Sequence, residues 1–127
     1  MTRREYVAYA GEAFTIEWYV DARGHSPALE YFLSLSEDRQ DQALFLFKRM
    51  GDFGRISDLT KFRNEGDKIF AFKPQPERYL CFFVEGKKIV ISNAFEKKSQ
   101  KLPPSEKQRA LKARSDYQLR VKAKTYY

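Results

Sequence analysis

The chain is predicted to fold as a single α+β domain, built in the order strand, helix, helix, three strands, helix. Three features carry that prediction. Apolar residues alternate over residues 14–20 and again, in three short runs, over 68–95, whereas over 27–51 and beyond 104 they recur at helical spacing. Gly, Pro, Asp and Ser fall between these segments, where the chain must turn. The 127 residues suit one core, enough to bury roughly two thirds of the unfolded surface, with no repeat or low-complexity stretch to mark a second domain.

Phe14, Ile16, Trp18 and Val20 alternate with Thr15, Glu17 and Tyr19, the pattern of a half-buried strand. Asp21 to Gly24 turns the chain, and Ser26-Pro27 starts a helix whose Leu29, Phe32 and Leu33 share a face until about Leu35. Ser36 caps a second helix with Glu37 and Asp38 in its first turn; Ala43, Leu46, Phe47 and Met50 keep helical spacing, and Gly51 is predicted to stop it. The two are predicted to form an antiparallel helix hairpin.

Runs at Lys68 to Lys73, Tyr79 to Val84 and Lys88 to Phe95 then read as an antiparallel meander, joined through Pro74-Gln75-Pro76-Glu77 and Glu85-Gly86-Lys87. After Pro103-Pro104, Ser105 and Gln108 match a capping box, and Ala110, Ala113, Tyr117 and Val121 make a narrow apolar stripe on a final helix. Only the extreme termini are expected to be loose.

The charge is localised. From Lys97 to Lys124 ten Lys or Arg face two acids, a net of +8 against +7 for the full chain, so the remainder sums to about zero. Such a device matches a polyanion, RNA or DNA, and the aromatic residues near it (Phe95, Tyr117, Tyr126, Tyr127) suit stacking on bases. The competing reading is a solvated helix face that aids solubility.

The longest apolar stretches are strand-length, far below the roughly 18 residues of a membrane span. Arg3-Arg4 resembles the start of an export signal, but Glu5 and Glu12 interrupt the apolar region it needs, so the N-terminus is read as mature sequence. One cysteine, Cys81, excludes an internal disulfide and fits a reducing cytoplasm; within Leu80-Cys81-Phe82-Phe83-Val84 it suits packing rather than nucleophilic attack.

With the element order in place, particular residues take on a familiar look. A strand ending Phe72-Lys73-Pro74, an arginine opening the next in Arg78-Tyr79-Leu80-Cys81-Phe82-Phe83, and the block Asn93-Ala94-Phe95-Glu96-Lys97-Lys98-Ser99-Gln100-Lys101-Leu102-Pro103, followed by a helix bearing Ala110, Arg114 and Tyr117, resemble the RelE/ParE toxin superfamily in its HigB-like, phage-related branch. The resemblance spans about residues 14–120, and its most specific part runs from Phe95 to Pro103. It implies a RelE-like ribonuclease fold, with the helix hairpin on one side of a small twisted antiparallel sheet. It also implies a toxin of a type II toxin–antitoxin system that cuts messenger RNA in the ribosome, restrained by an antitoxin, usually one with a helix-turn-helix domain.

Metal-free RNA cleavage requires deprotonation of the 2'-hydroxyl, stabilisation of a phosphorane and protonation of the 5' oxygen. His25 is the sole histidine and sits in the loop Arg23-Gly24-His25-Ser26-Pro27, a surface or cap-adjacent position; the scattered carboxylates form no metal-ligand spacing, and no cofactor is expected. Lys, Arg and Tyr remain.

By the resemblance, Lys73, Arg78 and one of Lys97 and Lys98 are the catalytic candidates, Lys98 being preferred. Tyr117 either donates a proton or packs on the apolar stripe. Arg63, Phe95, Lys97, Lys101, Arg109 and Arg114 are expected to bind RNA. Where relatives carry Glu-x-Arg, this chain has Ala71 and Lys73, and Ala94 replaces a frequent Gly. Two other readings stay open, because fold does not fix function: a ParE-type gyrase inhibitor, and a catalytically silent module that binds nucleic acid or an antitoxin.

Overall fold

The computed structural model describes residues 4–127. Arg3, half of the Arg3-Arg4 pair, lies outside them. A 3-10 turn (Arg4–Tyr6) leads into strands β1 (Val7–Ala10) and β2 (Thr15–Trp18), helices α1 (Pro27–Leu33) and α2 (Glu37–Phe53), strands β3 (Phe62–Gly66), β4 (Ile69–Phe72), β5 (Glu77–Val84) and β6 (Lys88–Glu96), and helix α3 (Pro104–Lys122). The strands form one sheet in the order β1-β2-β6-β5-β4-β3.

The sheet is mixed, which corrects the antiparallel expectation. All neighbours run antiparallel except β2 and β6, which pair in parallel from Thr15 against Lys88 to Trp18 against Ile91. A parallel pair needs a long crossover, and everything from α1 to β5 supplies it. Two strands escaped the sequence reading. β1 is short and never fully buried, and β3 (Phe-Arg-Asn-Glu-Gly) is a polar edge strand whose one buried residue is Phe62.

The Ser36 hydroxyl accepts from the Arg39 N–H at 3.4 Å and so caps α2, but the helix ends at Gly54 (φ 79°), not Gly51. Gly51 has another task. A Cβ there would sit 2.6 Å from the Tyr9 ring and 3.2 Å from the Phe14 carbonyl, and the Gly51 carbonyl accepts the N–H groups of Ala13 and Phe14. This glycine lets the β1–β2 turn close onto the helix instead of stopping it. The expected Ser105–Gln108 capping box is likewise absent: α3 begins two residues earlier, with Pro104 at its first position and Pro103 as N-cap.

Helices α1 and α2 both pack on one face of the sheet, α1 over β6 and α2 over β1, β2 and β4. The core beneath them is aromatic: Phe47 makes edge-to-face contacts with Trp18, Phe72 and Tyr79, with ring centroids 5.0–5.7 Å apart. Helix α3 covers the opposite face through Ala110, Ala113 and Tyr117, whereas Val121, expected on the same stripe, is exposed. The C-terminal end is docked, contrary to the expectation of loose termini. Tyr126 is buried with its hydroxyl accepting the Val20 N–H at 3.0 Å, and the Tyr127 hydroxyl donates to buried Glu17 at 2.7 Å.

Candidate active site

Strand alternation decides which side chains meet, because successive residues leave opposite faces of a sheet. On β4, Phe72 enters the core under α1 and α2, whereas Ile69 and Ala71 face α3, and Lys73 follows them on that side. On β5, Tyr79 and Cys81 take the first face, and Leu80 and Phe82 take the α3 face together with Arg78. Arg63 pairs directly with Ala71 across β3 and β4, and Glu65 follows two residues on.

β6 needs one more step. Its register against β5 slips between Leu80 and Cys81, so Ser92 is a bulged residue and the alternation reverses. Ile89 and Ile91 therefore face α1 and α2, yet Asn93 donates to Glu106 of α3 and Phe95 joins the α3 side. Lys97 continues that parity, its N–H still donating to the Pro76 carbonyl at 2.8 Å.

These residues, with the Ser99–Pro104 segment and Lys107 of α3, line a cleft of about 440 Å³ at one end of the sheet. Six cations face it: Arg63, Lys73, Arg78, Lys97, Lys101 and Lys107, against one carboxylate, Glu65. The last three come from the basic C-terminal run. The other three come from β3, β4 and β5, so the charge concentration in the sequence located only half of the site.

Electrostatics tune the two innermost cations. Arg78 is 8% exposed, its Nη1 donates to the Glu77 carbonyl at 3.2 Å, and burial lowers its pKa below the usual arginine value. Lys73 donates to the Leu59 carbonyl at 3.2 Å. Its ammonium pKa is lowered by burial first, then by the charges of Arg78, Arg63 and Lys97, with Glu65 opposing. Lys97 reaches the Gln100 side chain at 3.2 Å, and Lys107 pairs with Asp67 at 2.8 Å.

Of the sequence candidates, Arg63, Lys73, Arg78, Phe95, Lys97 and Lys101 converge on the cleft. The preference for Lys98 over Lys97 is reversed in geometry: Lys98 leaves the opposite side and lines a neighbouring hollow with Tyr31 and Glu96. Tyr117 is also corrected. It is buried against Phe82 and Tyr126, its hydroxyl bonds that of Tyr127 at 2.7 Å, and it lies ten residues along α3 from Lys107, roughly 15 Å at the helical rise. Arg109 and Arg114 lie on α3 outside the cleft; Arg109 borders a separate hollow between α1 and α3.

Two more residues are placed away from the cleft. His25 stands exposed near Asp21, and Cys81 is fully buried, its thiol pKa pushed up by burial. Among the described residues no group of His, Cys, Asp and Glu is arranged to hold a metal ion, and no helix is long and apolar enough to cross a membrane.

Glu65 is the cleft carboxylate that sequence reasoning missed. It belongs to the polar edge strand that alternation did not reveal, and its signal was the pair Arg63 and Glu65 at a spacing of two. The family model described as Phage derived protein Gp49-like (DUF891) matches residues 30–115, a span that contains every strand of the cleft and the start of α3. No curated protein matches the chain significantly.

Proposed function

The chain belongs to the phage-derived Gp49-like family, a family of the RelE/Gp49 toxin type whose members are commonly toxins of toxin–antitoxin systems, and from that premise we propose that it is a HigB-like endoribonuclease acting on messenger RNA in the cytoplasm. The observation that carries the reading is the convergence of six cations and one carboxylate on a single cleft. A phosphodiester chain is the polyanion such a cleft fits, and the carboxylate supplies what a purely cationic groove lacks, a candidate general base.

The chemistry follows from the side chains. Glu65 takes the proton of the 2'-hydroxyl as that oxygen bonds to phosphorus. Arg78 donates its guanidinium N–H groups to the equatorial oxygens of the phosphorane. The bond from phosphorus to the 5' oxygen breaks, and the Lys73 ammonium protonates the leaving oxygen; its lowered pKa makes it a better acid than an ordinary lysine. The products are a 2',3'-cyclic phosphate and a 5'-hydroxyl. Glu65 has gained one proton and Lys73 has lost one, and exchange with water restores both.

The cleft is open to solvent at one end of the sheet and lined mainly by flexible lysine and arginine side chains. This supports a role for the ribosome in aligning the 2'-hydroxyl, with feeble cutting of naked RNA. The partners are then messenger RNA, the ribosome and a cognate antitoxin with a helix-turn-helix domain.

The test is primer-extension mapping of a reporter message in a bacterial translation extract, comparing the wild type with an Arg78→Ala, Lys97→Ala variant. Cuts in codon register that require translation and vanish in the variant are expected. A folded, growth-arresting wild type that leaves the message intact overturns the reading and moves attention to DNA gyrase.

A further inference from the structure

The cleft does not end at Phe95. A second hollow of about 340 Å³ shares Phe95, Ser99, Lys101 and Pro103 with it. That hollow in turn shares Tyr31 and Ala94 with a third, of about 700 Å³, between α1 and α3. The three adjoin one another in a row that passes the C-terminal end of β6 and reaches α3, and we read them as one groove.

Resting on the RNA reading of the cleft, we propose that this groove is a track for single-stranded RNA, which holds the nucleotides on one side of the scissile phosphate and carries them out over Phe95 and Tyr31 toward Arg109 and Lys112. Spaced aromatic rings in a basic groove are what an unpaired strand requires: rings for the bases, cations for the phosphates. Phe95 and Tyr31 are both half-buried.

The charges support the same occupant. By formal count the acids of the outer hollows match the cations, but two of those acids, Glu96 and Asp116, are ion-paired to cations outside the hollows, and two more are held by neutral donors. Glu96 pairs with Arg39 at 3.3 Å, and Glu106 accepts from Asn93 at 3.0 Å. Asp116 holds Arg120 and Tyr19, and Asp21 accepts the N–H groups of Arg23 and His25 at 2.9 Å. Lys98 and Lys112 have no ion pair among the described residues, and Arg109 reaches Glu106 only at 3.8 Å. The track also gives a place to Lys98 and Arg109, which the cleft leaves out.

The experiment is fluorescence anisotropy with two fully 2'-O-methylated RNAs, which cannot be cut: a trinucleotide that fills the cleft, and a dodecanucleotide that also fills the track. The proteins are the wild type, Arg109→Glu/Lys112→Glu, Arg78→Ala, and the control Lys122→Glu/Lys124→Glu, which makes the same charge change at exposed positions beyond the groove. The groove variant is expected to bind the dodecanucleotide at least tenfold more weakly, with the salt slope reduced by about 1.4 for two lost phosphate contacts, while holding the trinucleotide as the wild type does. The control is expected to match the wild type.

A groove variant that binds both RNAs like the wild type, or that weakens no more than the control, overturns the track. If Arg78→Ala at the same time loses both RNAs, the cleft reading stands without it. A wild type that holds neither RNA overturns the RNA reading and the track together.

Discussion

Glu77 and Arg78 are consecutive residues whose side chains leave opposite faces of β5. The Glu77 carboxylate, 1% exposed, is held by the Arg39 guanidinium and by the Tyr31 hydroxyl at 3.1 Å on the α1–α2 side; the Arg78 guanidinium lies in the basic cleft on the other. One strand thus carries an ion-paired anion and a cleft-lining cation back to back. Fixing the first fixes the backbone from which the second projects.

Arg78→Ala is therefore expected to cut cleavage of translated message by about 10²–10³-fold, the scale for losing one preorganised donor to a charged transition state, without lowering the melting temperature. Arg39→Ala is expected to do the reverse first, destabilising the fold by leaving buried Glu77 without its cation. Paired thermal melts and primer-extension rates separate the two. Equal loss of stability in both variants refutes the division of labour.

Lys97→Ala is expected to weaken cleavage far more than Lys98→Ala, because only Lys97 shares the Phe95 face of β6. The sequence could not decide between them. Parity counted from Ile89 and Ile91 puts Phe95 and Lys97 under the helices, and the bulge at Ser92 moves them to the cleft. A bulge leaves no mark in hydrophobic periodicity, so the strands were legible and their faces beyond Ser92 were not. The same limit hid β3, whose polar residues look like a loop until Phe62 and its pairing with Phe72 are seen. By contrast α2 and the three-run meander follow directly from spacing, since most of their apolar positions are buried, and α1 follows through Phe32 although Leu33, expected on the same face, is exposed. Tyr117 was legible in both directions at once: its stripe position and its chemistry pointed to different roles, and burial against Phe82 decides for the stripe.

Glu65→Gln is expected to slow cleavage by about 10²–10⁴-fold, the range for loss of a general base, yet to tighten RNA binding by removing the one anion among six cations. Slower cutting with stronger binding is the signature. Weaker binding alongside slower cutting means that Glu65 orders the cleft rather than accepting a proton.

Lys73→Met is expected to stabilise the fold at neutral pH while destroying activity. The folded pKa of Lys73 lies below the ordinary 10.5, so the charged form is disfavoured in the folded state, and the unfolded chain binds more protons between the two values. Below that window the partly buried ammonium costs stability, and as pH rises through it the cost disappears. The advantage of the methionine variant in urea melts should accordingly shrink between the lowered value and 10.5. A constant advantage at every pH assigns the gain to packing of the apolar side chain and not to charge.

Tyr79 supplies a contrast inside the core. Its ring sits among Trp18, Tyr31 and Phe47, but its buried hydroxyl has no hydrogen-bond partner among the described residues. An unsatisfied buried hydroxyl carries a penalty of about 1–3 kcal/mol, so Tyr79→Phe is expected to gain about 1 kcal/mol, whereas Phe47→Ala, which opens a cavity beside the same ring, is expected to lose about 3–5 kcal/mol. Urea unfolding with equal slopes for both variants measures the difference directly. A loss of stability in Tyr79→Phe means that the hydroxyl contributes a favourable interaction, and that neutralising this one polar atom does not improve the aromatic core.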